Sequence, residues 1–162
     1  MSSPEQAQAL AIRDVTESDF DEVTRLIHTT IDTCYPAAYC PEAVAHFREH
    51  HAPDRIRRRA REGRIVVLEL EGRLAGTGSI VDEHVEAVFI DPELQGRGLG
   101  KAIMDHLEAI GRDNGFNEFT LEASTPARAF YESLGYAVLE AAAVPVDNGK
   151  TLDYFKMVRK VG

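Results

Sequence analysis

The turn Gln95-Gly96-Arg97-Gly98-Leu99-Gly100-Lys101 constrains this chain more than any other segment. It follows an apolar, strand-like run from Val85 to Ile90 and the breaker Asp91-Pro92, and it opens an amphipathic helix. Glycine at alternate positions lets the backbone bend and approach a ligand closely. A helix N-terminus leaves its first N–H groups without intrahelical partners, and the helix dipole attracts negative charge. A strand, a glycine turn and a helix in that order predict an α/β fold with a phosphate cradle at the turn.

Spacing narrows the ligand. The dinucleotide pattern G-x-G-x-x-G needs its third glycine where Lys101 stands. The P-loop pattern G-x-x-x-x-G-K-[ST] needs glycine at Gln95 and a hydroxyl at Ala102. Both fail. The residues do fit Q-x-x-G-x-G/A, and in this the chain resembles the GNAT superfamily of acetyl-CoA-dependent N-acetyltransferases, whose pyrophosphate-binding signature this is.

A second stretch carries the same resemblance. Ala127-Arg128-Ala129-Phe130-Tyr131-Glu132-Ser133-Leu134-Gly135-Tyr136 is similar to the family's A-x-x-F-Y-E-x-L-G-F/Y signature. Val88-Phe89-Ile90-Asp91-Pro92 resembles its apolar strand ending in V-x-P, and Glu71 to Gly76 resembles the hairpin before that strand. The two main motifs stand about thirty residues apart, each on the element the family uses. The likeness runs from Arg64 to Val158, while Phe20 to Glu62 matches only in helical character. The wording of Ala123 to Tyr131 looks most like small uncharacterised acetyltransferases of the superfamily.

The remaining chain supplies the rest of such a fold. A first strand is expected at Ala9 to Arg13. Thr16-Glu17-Ser18-Asp19 offers an N-cap with an acid three residues on, and Phe20, Val23, Ile27 and Ile31 recur at helical spacing up to Cys34. Pro41 opens a second helix that closes at His50-His51-Ala52-Pro53, and Asp54 to Glu62 forms a third. Ile65–Leu70 and Arg73–Ile80 form a hairpin across Glu71-Gly72. Leu99, Ile103, Leu107 and Ile110 share one face of the helix after the glycine turn, which ends at Gly115.

Phe119–Ala123 is a strand, Thr125-Pro126 caps a short helix to Leu134, and Tyr136–Val144 pairs with Thr151–Val158 across Asp147-Asn148-Gly149. The order β-α-α-α-β-β-β-α-β-α-β-β predicts one α/β domain over residues 1–162, with loose tails at 1–8 and 160–162. By resemblance this is a GNAT-type mixed sheet of seven strands, mostly antiparallel, with flanking helices. Its two central parallel strands, Val85–Ile90 and Phe119–Ala123, splay apart.

Composition excludes several classes. Net charge is −9, which opposes non-specific nucleic-acid binding. The one basic cluster, Arg55, Arg57, Arg58, Arg59 and Arg61, has no interleaved aromatic and reads as a solvated helix face. No apolar stretch reaches the roughly 20 residues of a spanning helix, and Met1 to Leu10 lacks the features of a signal peptide, so a cytoplasmic protein without a membrane partner is expected. Cys34, Cys40, His46 and His50 are spaced too widely at the cysteines for a zinc finger, and two ordinary thiols beside a histidine-bearing helix are expected, with no metal. A homodimer is left open.

The resemblance also assigns chemistry. Acetyl-CoA is the implied cosubstrate and an amine the acceptor. The freed strand edge at Val88, Phe89 and Ile90 would pair with the pantetheine amides, and one N–H there would face the thioester oxygen. The turn from Gln95 through Gly96, Arg97, Gly98, Leu99 and Gly100 to Lys101 would hold the pyrophosphate, with Arg97 and Lys101 adding charge or merely solvating the helix. Ser124 stands where many members carry an asparagine that bonds the pantetheine arm.

Tyr131 falls on the position of the proton donor: a phenol with an ordinary pKa of about 10 can protonate a departing thiolate of about 8.5. Glu86 and His84, on the strand leading to the thioester, are candidate bases for the ammonium, since carboxylates serve this role in the family and imidazole titrates near neutrality. Tyr35, Tyr39, Asp153 and Tyr154 are implied for the acceptor pocket. The expected reaction is direct attack in a ternary complex, because neither cysteine sits in an acyl-enzyme motif. The rival reading is a non-catalytic acyl-CoA sensor or interaction module, against which Tyr131 speaks.

Overall fold

Val66, Leu68 and Leu70 alternate with Ile65 and Val67 along one strand, and all five are buried. A strand apolar on both faces needs a layer on each side. The computed structural model, which describes residues 9–161, has that arrangement. Strands β1 (Leu10–Asp14), β2 (Arg64–Leu70), β3 (Arg73–Val81), β4 (His84–Ile90), β5 (Glu118–Ser124), β6 (Ala137–Pro145) and β7 (Thr151–Lys160) form one sheet. Their order is β1-β2-β3-β4-β5-β7-β6. β4 and β5 run parallel, and the other neighbouring pairs run antiparallel.

The helices are α1 (Phe20–Cys34), α2 (Pro41–His50), α3 (Pro53–Glu62), α4 (Leu99–Asp113) and α5 (Arg128–Ser133). On one face of the sheet, α4 sets Ile103, Met104 and Leu107 against Val66, Leu68, Val85 and Leu121. On the other, α1 and α3 set Val23, Ile27, Ile31 and Ile56 against Ile65, Val67, Leu74 and Phe89. Each such fully buried aliphatic side chain contributes about 1.5–3 kcal/mol.

The seven-stranded mixed sheet agrees with the expectation, and the ends of elements differ by a residue or two. β1 runs one residue later, and α1 continues through Cys34. Pro53 opens α3 instead of closing α2, since its fixed φ and missing N–H suit a first helical turn. β7 includes Lys160, and the Val161 N–H donates to the Asn117 carbonyl at 2.8 Å, so no loose tail begins at residue 160. The tail expected at 1–8 lies outside the described residues. Arg59 corrects the wholly solvated arginine face: three residues after buried Ile56, it turns inward and is 6% exposed. Arg58 and Arg61 stay in solvent.

β4 is interrupted where the site forms. Thr77 pairs with Phe89 and Ser79 with Glu86, so Ala87 and Val88 both stand opposite Gly78, a β-bulge. Ala87 has φ 58°. The left-handed region costs an L-residue about 1–2 kcal/mol, so the surrounding sheet holds this kink against backbone preference. Below the bulge, β4 and β5 pair at His84–Thr120 and Val85–Leu121; above it their register ends and they part.

Candidate functional site

The parting of β4 and β5 opens two cavities, of about 540 and 250 Å³. They share the walls Tyr35, Val88, Phe89, Ser124, Ala127 and Tyr131. A ligand in one therefore meets a ligand in the other at the β4 bulge.

The larger cavity leads to the glycine turn. Gly96 and Gly98 have φ of 81° and 80°, a conformation glycine adopts without a Cβ penalty, and α4 begins directly after them at Leu99. The free N–H groups of this α4 terminus give the turn a partial positive charge. Gln95 ties the turn to the end of β4, its Nε2 donating to the Ile90 carbonyl at 3.1 Å. Gly100 lies against the Phe130 ring, and a Cβ there would come within 2.9 Å of it. Leu94, Ile90 and Pro126 complete an apolar passage from the turn to Tyr131. These features fit an elongated ligand with an anionic end at the turn.

The smaller cavity lies on the sheet face covered by α2. His84 and Glu86 of β4 and Glu122 and Ser124 of β5 line it, since alternate residues share a face. His46 and His50 descend from α2, and Tyr154 and Leu152 come from β7. His84 Nδ1 is 2.9 Å from Thr120 Oγ1, and its Nε2 is 3.9 Å from Glu122 Oε1. His51 also lines this cavity, is 6% exposed, and stands edge-on to Phe89 at 5.2 Å. Burial, reinforced by the nearby Arg59 charge, holds its imidazole well below the usual histidine pKa and so neutral. The same two causes lower His50. Among the described residues, His51 Nδ1 and Arg59 Nε are buried without hydrogen-bond partners.

Two phenols stand at the junction. Tyr131 is 8% exposed, and burial, with a smaller contribution from Tyr35, pushes its hydroxyl above the ordinary tyrosine pKa. Burial raises Tyr35 to about 12, with Ser124 pulling the other way. Both therefore stay protonated at neutral pH. Behind Tyr131, the Tyr136 hydroxyl donates to buried Glu108 at 2.6 Å, and Arg159 pairs with the other oxygen of that carboxylate.

Most residues singled out from the sequence meet here. His84, Glu86, Tyr35, Tyr154, Val88, Phe89, Ser124 and Tyr131 surround the smaller cavity, and Ile90, Gln95, Gly96, Gly98, Leu99, Gly100 and Lys101 line the larger. Three stand apart. Arg97 is exposed and forms no part of either wall. The Tyr39 hydroxyl donates to the Asp153 carbonyl at 2.7 Å and accepts from the Thr125 N–H at 2.8 Å, a clamp that holds α2's leading loop to β7. The Asp153 side chain faces solvent. Lys101 is already engaged by Asp105 at 2.8 Å.

Four polar walls, His46, His50, His51 and Glu122, were not anticipated. The i, i+4 spacing of His46 and His50, and the period-two sharing of a face by Thr120, Glu122 and Ser124, were signals for three of them. The Cys–His run is dispersed: Cys34 lines the larger cavity, Cys40 precedes α2, and His46 and His50 line the smaller cavity.

The chain is similar to the glucosamine 6-phosphate N-acetyltransferase of Trypanosoma brucei brucei, with 34% identity over 80 residues that cover 43% of this chain and 54% of that protein. The chain spans about half the length of the curated relatives it matches. Its fold is similar to that of a GCN5-related N-acetyltransferase from Rhodopseudomonas palustris, with TM-score 0.85 and 21% identity, covering 93% of this chain and 95% of that one. It is also similar to the PaiA N-acetyltransferase of Thermoplasma acidophilum in complex with coenzyme A, with TM-score 0.73 and 17% identity, covering 94% and 99%. Residues 35–158 match the family model of the acetyltransferase (GNAT) domain, and the chain belongs to that family.

Proposed function

We propose that this chain is an acetyl-CoA-dependent N-acetyltransferase that transfers the acetyl group to a primary amine by direct attack in a ternary complex. The observation that carries the reading is the meeting of two cavities at Val88 and Tyr131, one ending in a glycine turn and the other lined by His84 and Glu86. Acetyl-CoA supplies the activated acyl group. The N–H groups of residues 96–101 hold its pyrophosphate, and the freed backbone of Val88 to Ile90 holds its pantetheine arm as an added strand.

His84 is the better placed of the two candidate bases. A proton on Nδ1 donated to Thr120 leaves the Nε2 lone pair for the ammonium proton, and the imidazolium then faces Glu122. The Val88 N–H, turned out of the β3 ladder by the bulge, donates to the carbonyl oxygen as negative charge develops. Burial keeps the Tyr131 phenol protonated at neutral pH; it gives that proton to the thiolate as the C–S bond breaks, and the phenolate takes the second proton of the attacking nitrogen. Ser124 and Tyr35 border the acyl group.

Thiol release from acetyl-CoA in the presence of a panel of amines tests the reading. Turnover that depends on the amine, with intersecting double-reciprocal plots, is expected. Binding of the coenzyme with no turnover of any amine would make the chain a sensor instead.

A further inference from the structure

Resting on the reading that the smaller cavity holds the acceptor, we propose that this cavity selects small cationic amines that carry no anionic group. Its permanently charged walls are glutamates, beside the titratable imidazoles of His46 and His84. Glu86 projects from β4 and Glu122 from β5, and among the described residues neither lysine nor arginine lines the cavity. Burial holds the His51 imidazole neutral, and His50 is lowered in the same direction. Arg59, buried behind them, acts on Glu86 as well as on both imidazoles and is not itself a wall. A carboxylate or phosphate entering here would leave water to face two glutamates with no lysine or arginine beside them, and like-charge contacts of that kind are rejected.

An ammonium meets the opposite situation. The glutamates attract it, and the aromatic residues Tyr35, Phe47 and Tyr154 among the walls suit a cation. Val144 and Leu152 offer an apolar surface for a hydrocarbon body. The cavity of about 250 Å³ matches a small molecule; at about 30 Å³ per water-sized group, it encloses on the order of eight non-hydrogen atoms of the acceptor. Glucosamine 6-phosphate, the acceptor named for the trypanosome relative, carries the kind of group these walls refuse.

Matched pairs test this: tyramine against tyrosine, cadaverine against lysine, glucosamine against glucosamine 6-phosphate. For each pair, kcat/KM is measured at saturating acetyl-CoA, and equilibrium binding is measured on the complex with coenzyme A. The anion-free member should be favoured by at least about tenfold in both. Glu122→Gln should narrow the gap and Glu122→Lys should reverse it, with coenzyme affinity retained as the check on folding. Equal or better use of the carboxylated or phosphorylated members would overturn the proposal, as would variants that leave the ratios unchanged. If no amine turns over, the catalytic reading fails, and the binding ratios alone decide this one: discrimination supports it, and its absence refutes it.

Discussion

The ring of Tyr131 stands edge-on to that of Tyr136, 5.9 Å between centroids and 68° between planes, and Tyr136 is fixed in turn by Glu108. The proposed proton donor is thus held by an aromatic neighbour whose own hydroxyl is committed elsewhere. Tyr131→Phe keeps the packing and removes the proton. It should lower kcat by about 100-fold, in the range typical of general acids, and leave the acetyl-CoA Kd within about twofold. Stopped-assay kinetics and calorimetry read the two quantities separately; an equal loss in both would give Tyr131 a binding role instead.

The Tyr136–Glu108–Arg159 network predicts a stability effect distant from chemistry. Glu108 is 2% exposed, and both of its carboxylate oxygens are held by partners. Arg159→Met leaves a buried carboxylate uncompensated and should cost about 3–5 kcal/mol. Tyr136→Phe removes one hydrogen bond to a charged group and should cost about 1.5–3 kcal/mol. Urea denaturation of the two variants measures both.

Gly98 caps α4 with φ 80°, and among the described residues no atom lies within 4 Å of a Cβ built there. The cost of Gly98→Ala is therefore conformational rather than steric, about 1–2 kcal/mol. The turn then relaxes away from the cradle geometry, and coenzyme affinity should fall by about tenfold. Gly100→Ala acts differently, by displacing the Phe130 ring. Titration of acetyl-CoA into each variant gives the comparison; unchanged affinity in Gly98→Ala would remove the turn from the binding site.

Stability should fall as the solution is acidified below about pH 6.5. His50 and His51 have lowered pKa values in the folded chain, whereas both return to about 6.5 on unfolding. Between the folded and unfolded values the unfolded chain binds more protons, so stability rises with pH through that window and is lost as pH falls. The slope approaches about 1.4 kcal/mol per pH unit for buried His51, and exposed His50, screened by solvent, adds less. Denaturation midpoints at pH 7.5, 6.5 and 5.5 should show it, and His51→Phe should flatten the dependence.

Local patterns made much of this molecule legible in its sequence. The Glu71-Gly72 hairpin, the spacing of Val23, Ile27 and Ile31, and the Gly96–Gly100 turn are set by residues within one or two turns of each other. The bulge was not legible, because an alanine at positive φ leaves no mark in composition; the pairing of β3 with β4 on either side imposes it. Arg59 was hidden in a run of arginines, and only its spacing from Ile56 hinted at burial. Tyr39 and Asp153 do lie near each other, but the pair is occupied in holding β7. The histidines of α2 join Glu86 and Glu122 only through tertiary packing, which no local period encodes.

The most direct test of the central claim is a crystal structure of the chain with coenzyme A. The account predicts pyrophosphate oxygens within hydrogen-bonding distance of the N–H groups of residues 96–101. It also predicts the sulfur beside Tyr131, at the mouth of the histidine- and glutamate-lined cavity. A diphosphate bound elsewhere, or a sulfur directed away from that junction, would contradict it.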